Sequence, residues 1–297
     1  MNARLRLAIS RFWQGCTPEL FAQRHPELSL LDADIVDDVA NADVIVYSVF
    51  GDNPLPTGPK KVFYSGENVT PLMQVKRRPF EKFEYALTFS RKTYDFTIHK
   101  RLPNYCVAGR HLGYELNDLT APRIVDDRSR FCCFLHGNSV PFRENFVRQL
   151  SKYKRVDCPG RSLNNMDLVV SKSQTISFLA QYKFMVCFEN ERGDGYVTEK
   201  IVNAYRAGCV PIYWGDPLVV ADFHPGSMIN ANSFSDFDQL VSYVAWLDQN
   251  AVAYRSLRSC PPLFGNQIPP DLTVAAITTF WRRIFESCTR REQTRES

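Results

Sequence analysis

Residues 184–217 read FMVCFENERGDGYVTEKIVNAYRAGCVPIYWGDP, and this stretch decides the fold of the second half of the chain. Its first five residues, Phe184 to Phe188, are a continuous apolar run that predicts a buried strand. The polar segment from Glu189 to Gly195 contains two glycines and predicts a loop. A second apolar run, Cys209 to Trp214, predicts another strand. The order is therefore strand, glycine loop, connecting segment and strand.

The connecting segment has the signals of a helix. Thr198 is a good N-cap, Glu199 begins the helix, and Gly208 ends it at the C′ position. In a parallel sheet, a ligand lies at the carboxyl ends of the strands, where free N–H groups and the positive helix dipole suit a diphosphate. Lys200 adds a cation in the first turn, where it opposes the dipole. An anionic ligand therefore explains Lys200 better than local stability does.

The same stretch resembles a known family. CFEN, GYVTEK and VPIYWG are similar to the donor-binding signature of the α1,3/4-fucosyltransferases that use GDP-fucose. The resemblance extends to VFYSGEN, PFREN and FLAQYKF, which begin at Val62, Pro141 and Phe178. Three separated motifs in the right order are far more specific than one glycine loop. Among family members, the chain resembles the soluble bacterial kind.

The fold class predicted for the whole chain is α/β. Apolar runs predict strands at Leu5–Ile9, Val44–Val49, Lys61–Ser65, Tyr85–Ser90 and Phe131–Leu135. Ser235 with Asp238 predicts a capping box that opens a helix, and an apolar stripe through Val274, Ile277, Trp281 and Ile284 predicts a C-terminal helix packed on a core. The residues between 118 and 130 are polar and predict an interdomain linker.

The resemblance makes this expectation more specific. It implies the GT-B fold, in which two Rossmann-like domains face a central cleft. We expect an acceptor-binding domain at residues 1–123 and a GDP-fucose-binding domain at residues 128–297. The acceptor would be an oligosaccharide, held by N-terminal loops such as 12–18, 50–59 and 68–80.

Composition excludes several classes of protein. The net charge of +4 is mild and does not call for a nucleic-acid partner, while weak peripheral association with an acidic membrane stays open. The nine cysteines show neither a C-x-x-C pair nor zinc spacing, so we expect reduced, mostly buried thiols. The apolar stretch at the N-terminus is too short for a signal peptide or a membrane span. These features and the resemblance predict a cytoplasmic protein, with attachment to the inner membrane left open.

Two cations are candidates for holding the diphosphate. Arg143 lies in the first turn of a helix that Pro141 opens, and Lys200 lies in the first turn of the central helix, so both project at the carboxyl edge of one sheet. A guanidinium can grip two phosphate oxygens, whereas an ammonium acts as a point charge. The resemblance implies these roles for both residues. The alternative is a pair of surface salt bridges.

Three more residues are candidates for contacts with the donor. Glu199 would accept hydrogen bonds from ribose or fucose hydroxyls, although an acidic residue at a helix start also has a purely local explanation. Asn190 and Tyr196 flank the loop and match sugar-contacting positions of the resembled family. Asn190 could equally be a turn residue, and Tyr196 a packed aromatic.

Glu67 is the candidate catalytic base. Transfer to a sugar hydroxyl needs a group that takes up its proton, and inversion needs that group on the sugar face opposite the leaving group. Glu67 follows a predicted strand of the first half, and the segment Tyr64-Ser65-Gly66-Glu67-Asn68 resembles the catalytic-base segment of the family. The alternative is an ordinary polar turn.

A metal-dependent reaction is the competing chemistry. Asp32-Ala33-Asp34 and Asp236-Phe237-Asp238 have the D-x-D form that some glycosyltransferases use to hold Mn²⁺ or Mg²⁺ on a diphosphate. Such tripeptides arise often by chance, and helix capping explains the second one better. With Arg143 and Lys200 available, we expect no cofactor and no divalent metal.

The sequence therefore predicts an inverting α1,3-fucosyltransferase that moves L-fucose from GDP-fucose to a GlcNAc hydroxyl of an N-acetyllactosamine-like glycan. The donor and the linkage come from the resemblance. The residues themselves indicate a nucleotide-diphosphate site and an opposing carboxylate. Alternatives are a GT-B glycosyltransferase that uses another nucleotide sugar, and a non-catalytic module that binds glycans or nucleotides. A nicotinamide dehydrogenase is disfavoured because, after Gly193-x-Gly195, Thr198 stands where the dinucleotide-binding motif has its third glycine.

Overall fold

The strands of this chain form two parallel sheets, and each sheet belongs to a different structural unit. The computed structural model describes residues 4–31, 33–51, 53–68, 83–92, 97–107, 115–121 and 128–293. Contacts divide the chain into a first unit, residues 1–114 with 269–297, and a second unit, residues 115–268. Each unit is an α/β structure, as the sequence predicts.

The first unit is built on six strands. They are β1 (Leu5–Ser10), β2 (Ala33–Val36), β3 (Val44–Tyr47), β4 (Lys60–Ser65), β5 (Tyr85–Thr88) and β6 (Ile98–Arg101). The strand order is β2-β1-β3-β4-β5-β6, and neighbouring strands are parallel. Helices within the described ranges are α1 (Pro18–Arg24), α2 (Asn104–Val107) and α8 (Val274–Gln293). All residues of β3 and β5 are buried, which is typical of a parallel sheet covered on both faces.

The second unit is built on five parallel strands. They are β7 (Arg130–Cys133), β8 (Val156–Asp157), β9 (Tyr182–Phe188), β10 (Val210–Trp214) and β11 (Ile229–Asn230), in the order β11-β10-β9-β7-β8. Its helices are α3 (Pro141–Tyr153), α4 (Thr175–Leu179), α5 (Glu199–Arg206), α6 (Phe237–Gln249) and α7 (Ala251–Ser259). Gly208 follows α5 with φ +74°, which confirms the predicted C′ glycine.

The predicted domain boundaries need correction. We expected the second domain to run to residue 297, but α8 returns to the first unit, where Tyr85 donates a hydrogen bond to Ser287 over 3.2 Å. Trp281 and Ile284 of α8 are fully buried, so the predicted role of the stripe in core packing is confirmed. The predicted linker also begins inside the second unit, because Asp118 pairs with Arg206 at 3.2 Å. Residues 122–127 of that linker lie outside the described residues, as do the predicted acceptor-loop residues 69–80.

The prediction for the cysteines is confirmed. All nine are free thiols, and the six buried ones are Cys106, Cys132, Cys133, Cys158, Cys187 and Cys209. Burial raises the pKa of the Cys132 and Cys187 thiols well above the ordinary value, so these thiols are poor nucleophiles. Among the helices that the structure describes, none combines the length and the apolar character that crossing a bilayer requires.

Candidate active site

The second sheet has a topological switch point between β7 and β9. These two strands are neighbours, but the chain leaves β7 towards β8 on one side and leaves β9 towards β10 on the other. Connections that diverge in this way open a crevice at the carboxyl ends of the two strands, and ligands of open α/β sheets bind there. The predicted donor residues follow these two strands.

Two helices begin at this crevice, and neither is capped by the side chain of its N-cap residue. Val140 and Thr198 occupy the N-cap positions of α3 and α5, and neither side chain accepts a hydrogen bond from a backbone N–H of the first turn. Thr198 therefore has the predicted position but not the predicted capping role. The first N–H groups of both helices remain donors at the positive end of a helix dipole.

Lys200 is held by a buried network at the start of α5. Its ammonium donates to Glu189 Oε2 and to Thr198 Oγ1, both over 2.7 Å. Glu189 is fully buried and also accepts hydrogen bonds from the backbone N–H of Thr198, at 2.8 Å, and from the Thr198 hydroxyl. Burial would lower the pKa of the Lys200 ammonium, but the carboxylates of Glu189 and Glu199 raise it above the ordinary value.

The buried position of Glu189 depends on its neighbours in the sheet. Glu189 directly follows β9, and its backbone N–H donates to the carbonyl of Trp214, the last residue of β10, over 2.8 Å. Gly215 comes next, and a Cβ there would lie 2.6 Å from Glu189 Cγ. A side chain at position 215 would therefore displace the carboxylate that holds Lys200.

Arg143 is the second cation at this edge, and it is only 1% exposed. Its Nη1 donates to Asn190 Oδ1 at 2.7 Å and to His136 Nδ1 at 3.0 Å, and its Nη2 donates to the carbonyl of Asn138 at 2.8 Å. Its Nε is buried and has no hydrogen-bond partner. No carboxylate in the described part of the chain forms an ion pair with this guanidinium.

His136 supports Arg143 as a neutral acceptor. Burial, together with the charges of Lys200 and Arg143, lowers the pKa of His136 well below its ordinary value. The ring therefore carries its proton on Nε2, which donates to the carbonyl of Val186 over 3.2 Å, and leaves Nδ1 to accept from Arg143. Gly160 allows this arrangement, because a Cβ there would lie 2.3 Å from the carbonyl oxygen of His136.

The other predicted donor residues occupy the same edge. Asn190 is exposed and presents its amide beside Arg143. Glu199 is half-buried at the first position of α5. Tyr196 is 5% exposed, which favours the packed-aromatic interpretation, and its carbonyl accepts from the Tyr213 hydroxyl at 3.4 Å. The structure thus brings Arg143 and Lys200 to one edge of one sheet with these residues.

Glu67 belongs to the first unit. It is exposed and follows β4, where its backbone N–H donates to the Ser65 hydroxyl and its carbonyl accepts from that hydroxyl, both over 3.1 Å. Asn104 donates to the carbonyl of Gly66 over 2.9 Å. The turn that carries Glu67 is therefore fixed from two directions.

The D-x-D pattern at Asp236 is a helix cap. Asp236 Oδ1 accepts a hydrogen bond from the backbone N–H of Gln239 over 2.8 Å, so helix capping is the right explanation. The cap is Asp236 and not Ser235, whose hydroxyl donates to the Asp236 carboxylate. Asp32 of the other pattern lies outside the described residues. Within the described ranges, His, Cys, Asp and Glu form no cluster of three or more that could hold a metal ion.

Sequence reasoning missed Glu189 and His136. Glu189 stands inside the quoted CFEN motif, and the available signal was an acid placed directly after a buried apolar run. His136 offered only its position after a predicted strand. Both residues act through tertiary partners, and a pattern in one strand does not show those partners.

The comparisons with known proteins fit this geometry. Residues 126–259 match the model of the family "Glycosyltransferase family 10 (fucosyltransferase) C-term", and residues 28–108 match the model "Alpha-(1,3)-fucosyltransferase FucT N-terminal domain". Alpha-(1,3)-fucosyltransferase FucT of Helicobacter pylori is 31% identical over 268 residues, which cover 77% of this chain and 54% of that protein. Alpha-(1,3)-fucosyltransferase B of Drosophila melanogaster is 28% identical over 70% of this chain and 50% of its own length. The chain thus spans about half the length of these relatives.

Solved structures of fucosyltransferases are also similar to this chain. A crystal structure of an alpha1,3-fucosyltransferase with GDP-fucose superposes with a TM-score of 0.78 at 28% identity and covers 95% of this chain and 90% of the other. A crystal structure of an alpha1,3-fucosyltransferase with GDP superposes with a TM-score of 0.76. The predicted α/β fold of the GT-B class, with two Rossmann-like domains, is confirmed.

Proposed function

This chain belongs to glycosyltransferase family 10, the fucosyltransferases, and from that premise we propose that it is an inverting α1,3-fucosyltransferase. It transfers L-fucose from GDP-fucose to a GlcNAc hydroxyl of an N-acetyllactosamine-like glycan. One observation carries the proposal more than any other. A buried guanidinium without a paired carboxylate and a fixed ammonium lie at two helix N-termini beside one switch point.

Arg143 supports the diphosphate assignment because its buried charge has no carboxylate partner among the described residues. A buried charge is costly unless it is paired, and the described partners of Arg143 are neutral oxygens and a neutral imidazole. The buried Nε still has a hydrogen to donate. A diphosphate would supply both the missing negative charge and the missing acceptor.

Lys200 supplies a second positive charge, which is an ammonium rather than a planar guanidinium. An ammonium carries three donors, and Glu189 and Thr198 take two of them. The third is available to a phosphate oxygen. As the bond between fucose and GDP breaks, negative charge grows on the diphosphate, and fixed cations stabilise that charge without reorganising.

Asn190 and Glu199 serve the sugar parts of the donor, and Tyr196 supports the loop that lies between them. The Asn190 carbonyl oxygen is engaged by Arg143, so its amide nitrogen is the group that donates to a sugar hydroxyl. Glu199 accepts from ribose or fucose hydroxyls. Because Tyr196 is buried, its contribution is to hold the loop that leads into α5.

The catalytic base in this proposal is Glu67. It takes the proton from the attacking GlcNAc hydroxyl while the diphosphate leaves with the charge that the cations stabilise. The exposed carboxylate on a fixed turn suits a group that must reach a substrate.

We expect the reaction to need no divalent metal, because Arg143 and Lys200 supply the charge that a metal would otherwise provide. Activity in excess EDTA is expected to stay within about twofold of the untreated rate, a change worth less than about 0.5 kcal/mol in the barrier. The measurement is GDP release from GDP-fucose and acceptor after dialysis against the chelator. Loss of activity in EDTA with recovery on adding Mn²⁺ would contradict metal independence.

Ligand-dependent thermal stability tests the choice of donor. GDP and GDP-fucose at about 100 times their Kd are expected to stabilise the fold by about 2.7 kcal/mol, which raises the Tm by several degrees, whereas NAD leaves it unchanged. Stabilisation by UDP-sugars and not by GDP-fucose would favour a glycosyltransferase with another donor. Stabilisation by GDP-fucose with no turnover of any glycan would favour a non-catalytic binding module.

A further inference from the structure

Glu189 is a fully buried carboxylate that the donor contacts proposed above do not include. It accepts from the backbone N–H and the hydroxyl of Thr198, and it forms an ion pair with Lys200 at 2.7 Å. A carboxylate this deep is rare unless it is paired. The question is whether the pair only stabilises the loop or serves the ammonium that faces the ligand.

We propose that Glu189 is a positioning residue that keeps Lys200 charged and aimed at the donor diphosphate, without touching the donor itself. The inference rests on the proposed function, because it presumes that Lys200 meets a phosphate. Its geometry is specific. Glu189 and Thr198 fix two of the three ammonium hydrogens, so the direction of the third is set before a ligand arrives.

The charges that surround Lys200 come from several elements. Glu189 follows β9, Glu199 lies on its own helix, Arg143 lies on α3, and His136 follows β7. Tyr213 of β10 lies beside Glu189, and burial with that carboxylate raises the Tyr213 pKa, which keeps the phenol neutral. Removing the negative charge of Glu189 therefore leaves burial and Arg143 to lower the pKa of Lys200, with Glu199 opposing them.

The sign of the expected effect follows from this balance. An ammonium is charged below its pKa, so a lower pKa in Glu189→Gln means that Lys200 loses its charge at a lower pH than in the wild type. GDP affinity of the variant should therefore weaken as pH rises, relative to the wild type measured at the same pH. Taking this ratio cancels the titration of GDP itself.

A second buried carboxylate that pairs with lysine in the same unit provides the control. Asp248 has a side chain that is 5% exposed and pairs with Lys183 at 2.8 Å and with Lys154 at 3.0 Å. Lys183 lies at the amino-terminal end of β9, whereas Glu189 follows its carboxyl end. Asp248→Asn thus removes a buried carboxylate from a lysine pair that lies away from the switch point.

The experiment is calorimetric titration of GDP at about pH 7 and about pH 9.5. Between these values, the affinity of Glu189→Gln relative to wild type is expected to fall, because Lys200 of the variant loses its charge at a lower pH than Lys200 of the wild type. Asp248→Asn should keep a constant ratio. A constant ratio for Glu189→Gln would overturn the inference. If the wild type binds no GDP at either pH, the result contradicts the proposed function itself rather than the role of Glu189.

A double variant keeps the test valid if Glu189→Gln does not fold. Lys200→Met with Glu189→Gln removes both charges of the pair, so neither is left buried without its partner, and the double variant should fold better than either single variant. If Glu189 acts only through Lys200, adding Glu189→Gln to Lys200→Met will not weaken GDP binding further. A further loss of roughly tenfold in the double variant would show that Glu189 has an independent role and would overturn the inference.

Discussion

Replacing Glu67 with glutamine is expected to lower kcat by roughly 10²-fold or more, the usual scale for a lost acid–base group. The amide has the shape of the carboxylate but cannot accept the proton of the acceptor hydroxyl at neutral pH. Affinity for GDP should stay within about twofold, because Glu67 does not belong to the unit that carries Arg143 and Lys200. Steady-state kinetics with GDP-fucose and acceptor, together with calorimetry of GDP, give both numbers.

Asp38→Asn is the control for this variant. Asp38 is an exposed turn carboxylate of the same unit that accepts a hydrogen bond from the backbone N–H of Ala40 over 2.9 Å. Its replacement should leave kcat close to the wild-type value. Near-normal turnover by Glu67→Gln would remove Glu67 from the role of base.

Replacing Arg143 with lysine is expected to weaken GDP binding by roughly tenfold or more, although the positive charge remains. The guanidinium reaches Asn190, His136 and Asn138 at once from a planar fork, and an ammonium cannot span these partners and a phosphate together. The loss should appear in the affinity for GDP as well as in kcat/KM for GDP-fucose. Calorimetry on the folded variant measures it directly.

Arg148→Lys on the same helix separates this effect from a general loss of helix stability. The Arg148 side chain is 60% exposed and pairs with Glu144 at 3.4 Å, so its fork serves a surface contact. GDP affinity should not change in that variant. If Arg143→Lys bound GDP as tightly as the wild type, the diphosphate would have to lie elsewhere.

The central strand–helix–strand unit could be predicted from the sequence, because its signals are local. The apolar run before Glu189 became β9, the run before Gly215 became β10, and Gly208 ended the helix with a positive φ. Apolar periodicity, a C′ glycine and polar loops fix such elements wherever they stand in a fold. The strands β1, β3, β4, β5 and β7 were found for the same reason.

The features that could not be predicted from the sequence share a physical cause: they depend on residues that lie far away along the chain. The stripe of α8 predicts burial but does not say which sheet covers it, and it packs on the first unit. The short strands β6 and β11 contain one apolar residue each, and Asp34 interrupts the apolar residues of β2, so none of the three stands out. In the sequence Glu189 is an ordinary loop acid, and only the structure shows that Lys200 pairs with it and that Gly215 lies against its side chain.

Product analysis tests the central claim most directly. Wild-type protein is incubated with GDP-fucose and N-acetyllactosamine, and the glycan product is examined by NMR. The account predicts one fucose on the GlcNAc 3-hydroxyl, with an anomeric configuration opposite to that of the donor, and one GDP released per transfer. Transfer with retained configuration, or consumption of a different nucleotide sugar while GDP-fucose remains intact, would contradict it.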